Sequence, residues 1–394
     1  MAIPDYRYLS TDLLSGAVKG DYLSLTVQSF NRAINNTGGF TGSLNLTAGT
    51  PAESANWRLA LQCRRSVLWA ILDGVPLWNG IVWDWVPTTV LDGTLPFSAS
   101  TMDSLFASRV IEDDLTFTNA DVFDVFRGLC NYALTKDVNC GVAGLNLGTA
   151  ESGVTVTVSW TGSNMEQVSG AWSDLIALCN FEYSFRPGLD TNGNLATFLD
   201  LGYPELGQQF PASGLAYTLP GNLLDYQWTE TGSSSYNKVI GTGSDSTGSG
   251  TTWVSEYPHG YDLVDLAQGF PLLETSAAIT TLDVTEQAEV DAFADGVLPS
   301  VTGTQLTPLL VLGNEQQPSV KDITLGSWCQ VALTSPLHPA NADGSPGYQG
   351  LARIIGWTLY PPVDAQQAEY TQIQTWIPTS AEQAMSTGTT SEGA

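Results

Sequence analysis

The chain has 394 residues, which is enough for two to four domains that each bury their own core. Its 40 acidic and 13 basic residues give a net charge of -27, which excludes the basic surface that non-specific binding of nucleic acid requires. No apolar run reaches about 18 residues, and the N-terminus MAIPDYRYLSTD has no basic region followed by an apolar core, so neither a membrane span nor a secretory signal is predicted.

Residues 1–110 have the pattern of β-strands. Alternation predicts strands at Tyr22–Val27 and Thr41–Leu46, and apolar runs predict two more at Trp57–Cys63 and Val67–Leu72. The stretch LDGVPLWNGIVWDWVP follows. Its dipeptides Asp73-Gly74 and Asn79-Gly80 are strong hairpin signals, and they predict a three-stranded meander of 67–72, 75–78 and 81–86.

Three tryptophans accompany these turns: Trp78, Trp83 and Trp85. Trp83 and Trp85 flank Asp84, so in a strand both side chains lie on one face. Buried, the rings form a domain core or a subunit interface; exposed, they form a platform for sugar rings. Burial is the favoured interpretation because aromatic residues in strands more often belong to the core.

Residues 111–221 combine helices and strands. Thr118-Asn119 offers a helix cap before apolar residues at helical spacing, and Ser163 with Glu166 forms the pattern of a capping box. The apolar faces of the two predicted helices are Val122, Phe126, Leu129 and Ala133, then Val168, Trp172, Leu175 and Cys179. The segment DTNGN (190–194) lies between two strand patterns and predicts a hairpin turn.

Residues 222–361 return to strands, including LLDYQWTE, YNKVIGTG, ITLGSWCQVAL and LARIIGWTLYPP. The polar segment SDSTGSGTT predicts a loop. A helix is predicted over 283–299, capped by Asp283 or Glu286 and ended by Pro299. Residues 362–394 lose this pattern, and we expect partners to order them.

The residues that could act in catalysis or bind a metal are better explained by structural roles. Neither His259 nor His338 has a GxSxG motif beside it, and Glu112, Asp113 and Asp114 are typical of a solvated turn. Asp190 begins a pattern like a calcium loop, but Leu195 and Leu201 occupy positions that need Gly and Glu. The cysteines form no CxxC pair, and we expect them to be reduced. The sequence thus predicts no catalytic, cofactor or metal site, and no enzyme activity.

Several motifs resemble the central hub proteins of long-tailed bacteriophages, the tail-tip or baseplate hubs and minor tail proteins of siphoviruses. These hubs themselves resemble the spike-hub proteins of type VI secretion. The first motif is the stretch LDGVPLWNGIVWDWVP, with Asp73, Gly74, Trp78, Asn79, Gly80, Trp83 and Trp85. YNKVIGTGSDS resembles the strand that opens the second barrel of the family, with Asn237, Val239 and Gly243.

DVTEQAEVDAFADGVLP resembles the helix inserted in that barrel, and ITLGSWCQVALTSP, with Gly326, resembles a late strand. In the late strand Ser327 follows the glycine, where the family often has Asp. The resemblance covers most of residues 20–360.

This resemblance implies a β-rich α+β multidomain fold with two related β-barrel domains. The first barrel is 1–110, an α+β domain is 111–221, and the second barrel is 222–361, with its helical insertion near 283–299. An extension, 362–394, follows.

The implied function is that of a homotrimer at the tail tip of the virion, assembled in the host cytoplasm. It joins six-fold tail rings, including the distal tail protein, to a three-fold tip, closes the tube and permits DNA ejection. Its implied partners are itself, the distal tail protein ring, the C-terminus of the tape-measure protein and other minor tail or receptor-binding proteins. DNA is only transient cargo, and an acidic lumen would repel it.

Two alternatives remain open. The chain could be a hexameric distal tail protein or a peripheral minor tail protein, or it could be a carbohydrate-binding or carbohydrate-cleaving protein.

Overall fold

The structure is a computed structural model that describes residues 5–46, 57–85, 93–233, 235–244, 252–279, 284, 286–302, 305–313, 316–362 and 368–377. It is β-rich with a smaller helical part, as predicted. The chain divides into two compact units. The first comprises Met1–Ser173, Phe181–Leu206 and Trp357–Thr371, and the second comprises Asp174–Asn180, Gly207–Gly356 and Gln372–Ala394.

The main sheet of the first unit is antiparallel and has the order β3-β4-β7-β6-β5-β1-β2. Its inward side is aromatic, with Phe30, Phe40 and Phe97 all buried. The strands are β1 (Tyr6–Asp12), β2 (Val18–Gly20), β3 (Leu25–Ala33), β4 (Gly39–Asn45), β5 (Ser66–Leu72), β6 (Val75–Trp85) and β7 (Thr94–Ser100).

The rest of the first unit mixes helices with small sheets. Phe126 and Trp172, from the two predicted helices, stack with ring centroids 4.6 Å apart, as helical spacing of these apolar residues led us to expect. The elements are β8 (Leu115–Asp121), α1 (Val122–Thr135), β9 (Leu145–Asn146), β10 (Thr155–Trp160), α2 (Val168–Cys179), β11 (Glu182–Leu189) and β12 (Leu195–Gly202). The last six residues of α2, 174–179, fall in the second unit. The DTNGN hairpin is confirmed, because β11 and β12 pair through it.

The second unit has one sheet of order β14-β20-β23-β22, with β21 beside β22 and β13 beside β21, and a separate sheet of order β17-β16-β18. Its elements are β13 (Ala216–Leu219), β14 (Leu223–Gln227), β15 (Glu230–Thr231), β16 (Lys238–Ser244), β17 (Thr252–Val254), α3 (Leu263–Ala267), β18 (Glu274–Ala278), α4 (Gln287–Val301), β19 (Gln305–Leu306), β20 (Leu309–Gly313), β21 (Trp328–Leu333), β22 (Tyr348–Tyr360) and β23 (Tyr370–Trp376). The last four residues of β22 and the first two of β23 fall in the first unit.

The predicted boundary at 110/111 falls inside the first unit, and the boundary at 221/222 falls inside the second. The division into 1–110, 111–221, 222–361 and 362–394 stays a prediction, as does the two-barrel arrangement. Val86, Asp283, the loop 245–251 and residues 378–394 lie outside the described residues.

Two predictions about strands were wrong. Trp57–Cys63 is no strand; it begins with a helical turn in which the Leu61 N–H donates to the Trp57 carbonyl. No strand was predicted after residue 362, but β23 lies there and pairs within the sheet of the second unit. Its inward positions include Thr371 and Thr375, and the Thr375 hydroxyl donates to the Pro308 carbonyl at 2.8 Å. Buried threonines conceal the alternation that hydrophobic residues would display.

Three helix boundaries also differ from prediction. The Ser163–Glu166 capping box is wrong: Gly162–Asn164 form a separate 3-10 turn that ends at Met165 with φ 52°, and α2 begins only at Val168. Asp121, rather than Thr118-Asn119, caps α1, because β8 continues through Asn119 and the Asp121 carboxylate accepts the Phe123 N–H at 2.8 Å. Glu286 caps α4 as predicted, but the helix continues past Pro299 to Val301. A proline in the last turn costs one hydrogen bond there, and this loss did not end the helix.

All five cysteines are free thiols. Cys130 and Cys329 are fully buried, and burial raises the pKa of the Cys329 thiol to about 12. Burial also raises the pKa of the half-buried Cys179 to about 12. Burial likewise raises the pKa of the Cys130 thiol, so these three thiols have little thiolate at neutral pH.

We predict that a thiol reagent at about pH 8 labels Cys63 fastest in the native protein and leaves Cys130 and Cys329 unlabelled. Cys63 is only half-buried, whereas the other two have neither access nor thiolate character. Mass spectrometry of the labelled peptides measures this order, and labelling in denaturing guanidinium is the control in which all five react. Rapid native labelling of Cys329 would contradict the packing of β21.

Candidate functional site

The Asp73-Gly74 turn is confirmed. It joins β5 to β6, with Leu72 paired to Val75, and both turn residues have positive φ, 49° and 82°. These values are those of a type I′ hairpin, whose twist matches that of the flanking strands. The turn is tied to the start of the chain, because the Asp73 carboxylate accepts the Asp5 N–H at 3.1 Å.

The predicted Asn79-Gly80 turn is wrong, and so is the three-stranded meander. Both residues lie inside β6, opposite Trp69 and Leu68 of β5, and neither has a positive φ. The strand continues because the buried Asn79 amide donates to the Thr197 hydroxyl at 2.6 Å. Gly80 is needed for a different reason: a Cβ there would lie 2.3 Å from the Ser100 carbonyl oxygen of β7.

The three tryptophans occupy different environments. Trp78 is fully buried, its Nε1 donates to the Asn31 carbonyl at 2.9 Å, and its ring lies 5.3 Å from that of Phe40. Trp83 and Trp85 are half-buried. The Trp83 Nε1 donates to the Ser104 hydroxyl at 2.8 Å, and Trp85 packs 4.3 Å from the Trp57 ring. Trp78 is therefore core, whereas Trp83 and Trp85 keep part of their surface open.

Asn237 is a buried anchor at the start of β16, exposed by only 2%. Its Nδ2 donates to the Pro271 carbonyl at 2.8 Å and to the Asp265 carboxylate at 3.2 Å. Its Oδ1 accepts the Leu273 N–H at 2.7 Å, and its carbonyl accepts the Asp262 N–H. Through its side chain and its carbonyl, Asn237 thus holds both ends of the segment 262–273.

The other predicted residues of the second unit have packing or turn roles. Val239 is fully buried in β16. A Cβ on Gly243 would lie 2.5 Å from a Val284 methyl, so glycine lets the chain before α4 lie close on the strand. Gly326 has φ +85° before β21, and its N–H donates to the Ile354 carbonyl at 2.8 Å.

The acidic candidates have structural partners. Glu112 pairs with Lys136 at 2.5 Å, Asp113 accepts the Tyr132 hydroxyl, and Asp114 accepts the Gly162 N–H at 2.9 Å. Asp190 accepts the N–H groups of Asn192 and Asn194, which lower the pKa of its carboxyl. In the described ranges no group of three or more His, Cys, Asp or Glu side chains is placed to hold a metal ion.

The two histidines differ. His259 is exposed, and its Nδ1 lies 2.7 Å from Asp295, whose hydrogen bond raises the pKa of the imidazole. His338, predicted as a surface residue, is half-buried between aromatic rings, with the Trp228 centroid 4.6 Å away. The Tyr226 hydroxyl lies 2.8 Å from its Nδ1, and burial lowers the pKa of the imidazole.

Sequence reasoning missed a run of exposed apolar residues, here called the apolar loop, residues 263–273. Helix α3 has no buried residue. Five large side chains of the loop are between 44% and 57% exposed: Leu263, Val264, Phe270, Leu272 and Leu273. The signal was available, because LVDLAQGFPLL is too apolar for an ordinary surface turn.

The whole fold is similar to solved structures of tail proteins. A tail protein from Neisseria meningitidis MC58 matches with TM-score 0.52 at 11% identity, over 94% of this chain and 96% of that one. The 43 kDa tail protein of prophage MuSo2 from Shewanella oneidensis matches with TM-score 0.53 at 11% identity, over 94% and 98%. The chain has the tail-protein fold. No protein-family model and no curated protein sequence matches it.

In this tail-protein fold we predict that Gly80→Ala destabilises the first unit by about 1–3 kcal/mol or more, because the methyl group overlaps the backbone of β7. Urea unfolding of the purified chain measures the loss. Gly141→Ala is the matched control, since its Cβ meets nothing within 4 Å. Equal stability of the two variants would contradict the close approach of β6 and β7.

We also predict that Asn237→Ala loosens the apolar loop and costs about 1–3 kcal/mol, because the loop loses its hydrogen bonds to the buried amide. Hydrogen–deuterium exchange should rise across 262–273. Asn341→Ala is the control, because that exposed asparagine also donates two hydrogen bonds but within its own turn. Unchanged exchange at 262–273 in Asn237→Ala would refute the anchoring role.

Proposed function

We propose that the protein is a structural, non-enzymatic component of a phage virion: the trimeric hub at the tip of the tail. In this role it joins six-fold tail rings to a three-fold tip, closes the tube and permits DNA ejection. The hub acts through its shape and its assembly with other tail proteins. Its residues therefore pack the fold and form subunit contacts, and they do not catalyse a reaction.

One observation carries this proposal. The fold likeness to the two tail proteins runs nearly end to end in both directions, at 94% of this chain and at least 96% of each of theirs. A match of this extent concerns the arrangement of the whole chain rather than one common domain. We propose that the sheets of the two units supply the two barrels of the hub.

The charge of the chain supports a conduit for DNA. With 40 acidic and 13 basic residues, the protein has a field that repels phosphate, so passing DNA would not adhere. DNA is then transient cargo. The proposed protein partners are the distal tail protein ring, the C-terminus of the tape-measure protein and other minor tail proteins. No helix in the described part of the chain is both long and apolar enough to cross a membrane.

A three-dimensional map of the intact tail tests the proposal. We expect three copies of the chain at the tip, below the last six-fold ring. Six copies around the tube would instead identify a distal tail protein, and copies at the periphery would identify a receptor-binding subunit. Quantitative mass spectrometry of purified tails, with the tube protein as internal standard, checks the copy number independently.

A further inference from the structure

The apolar loop is held in place although it is exposed. Asn237 binds it at Asp265, Pro271 and Leu273. Asp262 caps α3 by accepting the N–H groups of Val264 and Asp265, and it also accepts the Thr302 hydroxyl. The buried Asn237 and the half-buried Asp262 thus fix a loop that keeps its apolar side chains in solvent. Ordered exposed apolar surface of this kind marks a contact with another protein.

The surroundings of the loop are acidic. Between Lys238 and Lys321 the sequence has eleven acidic residues and neither lysine nor arginine. Asp262 directly precedes the loop and Glu274 directly follows it. Asp291 and Asp295 lie beside the chain that leads into the loop, because they accept the N–H groups of Glu256 and Gly260. A partner that complements this surface therefore presents exposed apolar side chains flanked by positively charged side chains.

The first unit contains such a segment, here called the basic segment, residues 57–65 (WRLALQCRR). Leu59 is 62% exposed, and Arg58 and Arg64 of the same segment are also exposed. Within the described ranges neither arginine forms an ion pair, whereas Arg65 pairs with Asp12 at 2.8 Å. Two exposed arginines without a carboxylate are unexpected in a chain with 40 acidic residues.

We propose that the apolar loop of one copy binds the basic segment of the next copy. Leu59 would pack against the loop, with Phe270 and Leu272 as its central contacts, while Arg58 and Arg64 face the acidic surroundings. The contact joins two different surfaces, and a head-to-tail contact of this kind closes into a ring when three copies complete the rotation. This inference rests on the proposed trimer and names the surfaces that form it.

Charge also disfavours the contact of one loop with another loop. Such a self-contact would bring Glu256, Asp291 and their neighbours against the same residues of a second copy, and like charges oppose each other across a buried contact. The loop and the basic segment, in contrast, have opposite charges. Because the ion pairs lie at the rim of the contact, added salt should weaken the assembly.

Two variants of the full chain test the pairing: Arg58→Glu/Arg64→Glu in the basic segment and Phe270→Ser/Leu272→Ser in the loop. Light scattering after size exclusion should give about three times 42.0 kDa for the unmodified chain and 42.0 kDa for each variant alone. An equimolar mixture of the two variants should form a heterodimer, because one intact loop then meets one intact basic segment.

Control variants separate this outcome from misfolding. Arg58→Lys/Arg64→Lys keeps the charge and should remain trimeric, as should Val138→Ser and Leu337→Ser, which replace exposed apolar residues elsewhere. If both test variants remain trimeric, the pairing of the loop with the basic segment is wrong, whereas the proposal of a trimeric hub is unaffected. A mixture that stays monomeric also overturns this pairing. An unmodified chain that is monomeric or hexameric refutes the proposed hub itself.

Discussion

The packing of Trp78 against Phe40 is the contact on which the first unit depends. The two rings lie 5.3 Å apart, Phe30 stacks on Phe40 at 6.0 Å, and each side chain comes from a different strand of the main sheet. Aromatic contacts of this kind add about 0.5–1.5 kcal/mol each beyond the burial of their area. The Trp78 ring also lies 2.5 Å from where a Cβ of residue 80 would stand, so only glycine fits there. One buried ring thus determines both the core and the backbone beside it.

A second constraint is electrostatic. The chain has 13 basic residues for 40 acidic ones, so there are too few cations to give each carboxylate its own ion pair. Several exposed or half-exposed cations are matched, as in the pairs Arg7–Asp21 and Arg186–Asp200. In contrast, Arg58 and Arg64 of the basic segment form no ion pair with any residue in the described part of the chain. Their position suits a surface that forms ion pairs only on assembly. The acidic surroundings of the apolar loop have the opposite charge.

Sequence patterns were most reliable where a local rule sufficed. The Asp73-Gly74 turn requires positive φ at both residues, which aspartate and glycine accept, and the apolar spacing of α1 places Phe126 in the core. The same rule failed for Asn79-Gly80, because the requirement there comes from distant residues. Thr197 satisfies the Asn79 amide, and Ser100 approaches the Gly80 backbone. No local pattern contains that information.

The sequence by itself determined the class of the protein: a β-rich, acidic chain without a basic surface, and with apolar periodicity that places its main helices. These properties depend on composition and on neighbours within a few residues. Only the tertiary structure decided that β6 is one strand, that Thr375 belongs inside a sheet, and that Asn237 anchors an exposed loop. Each of these depends on hydrogen bonds or close contacts between residues far apart in the chain, and such contacts exist only once the chain has folded.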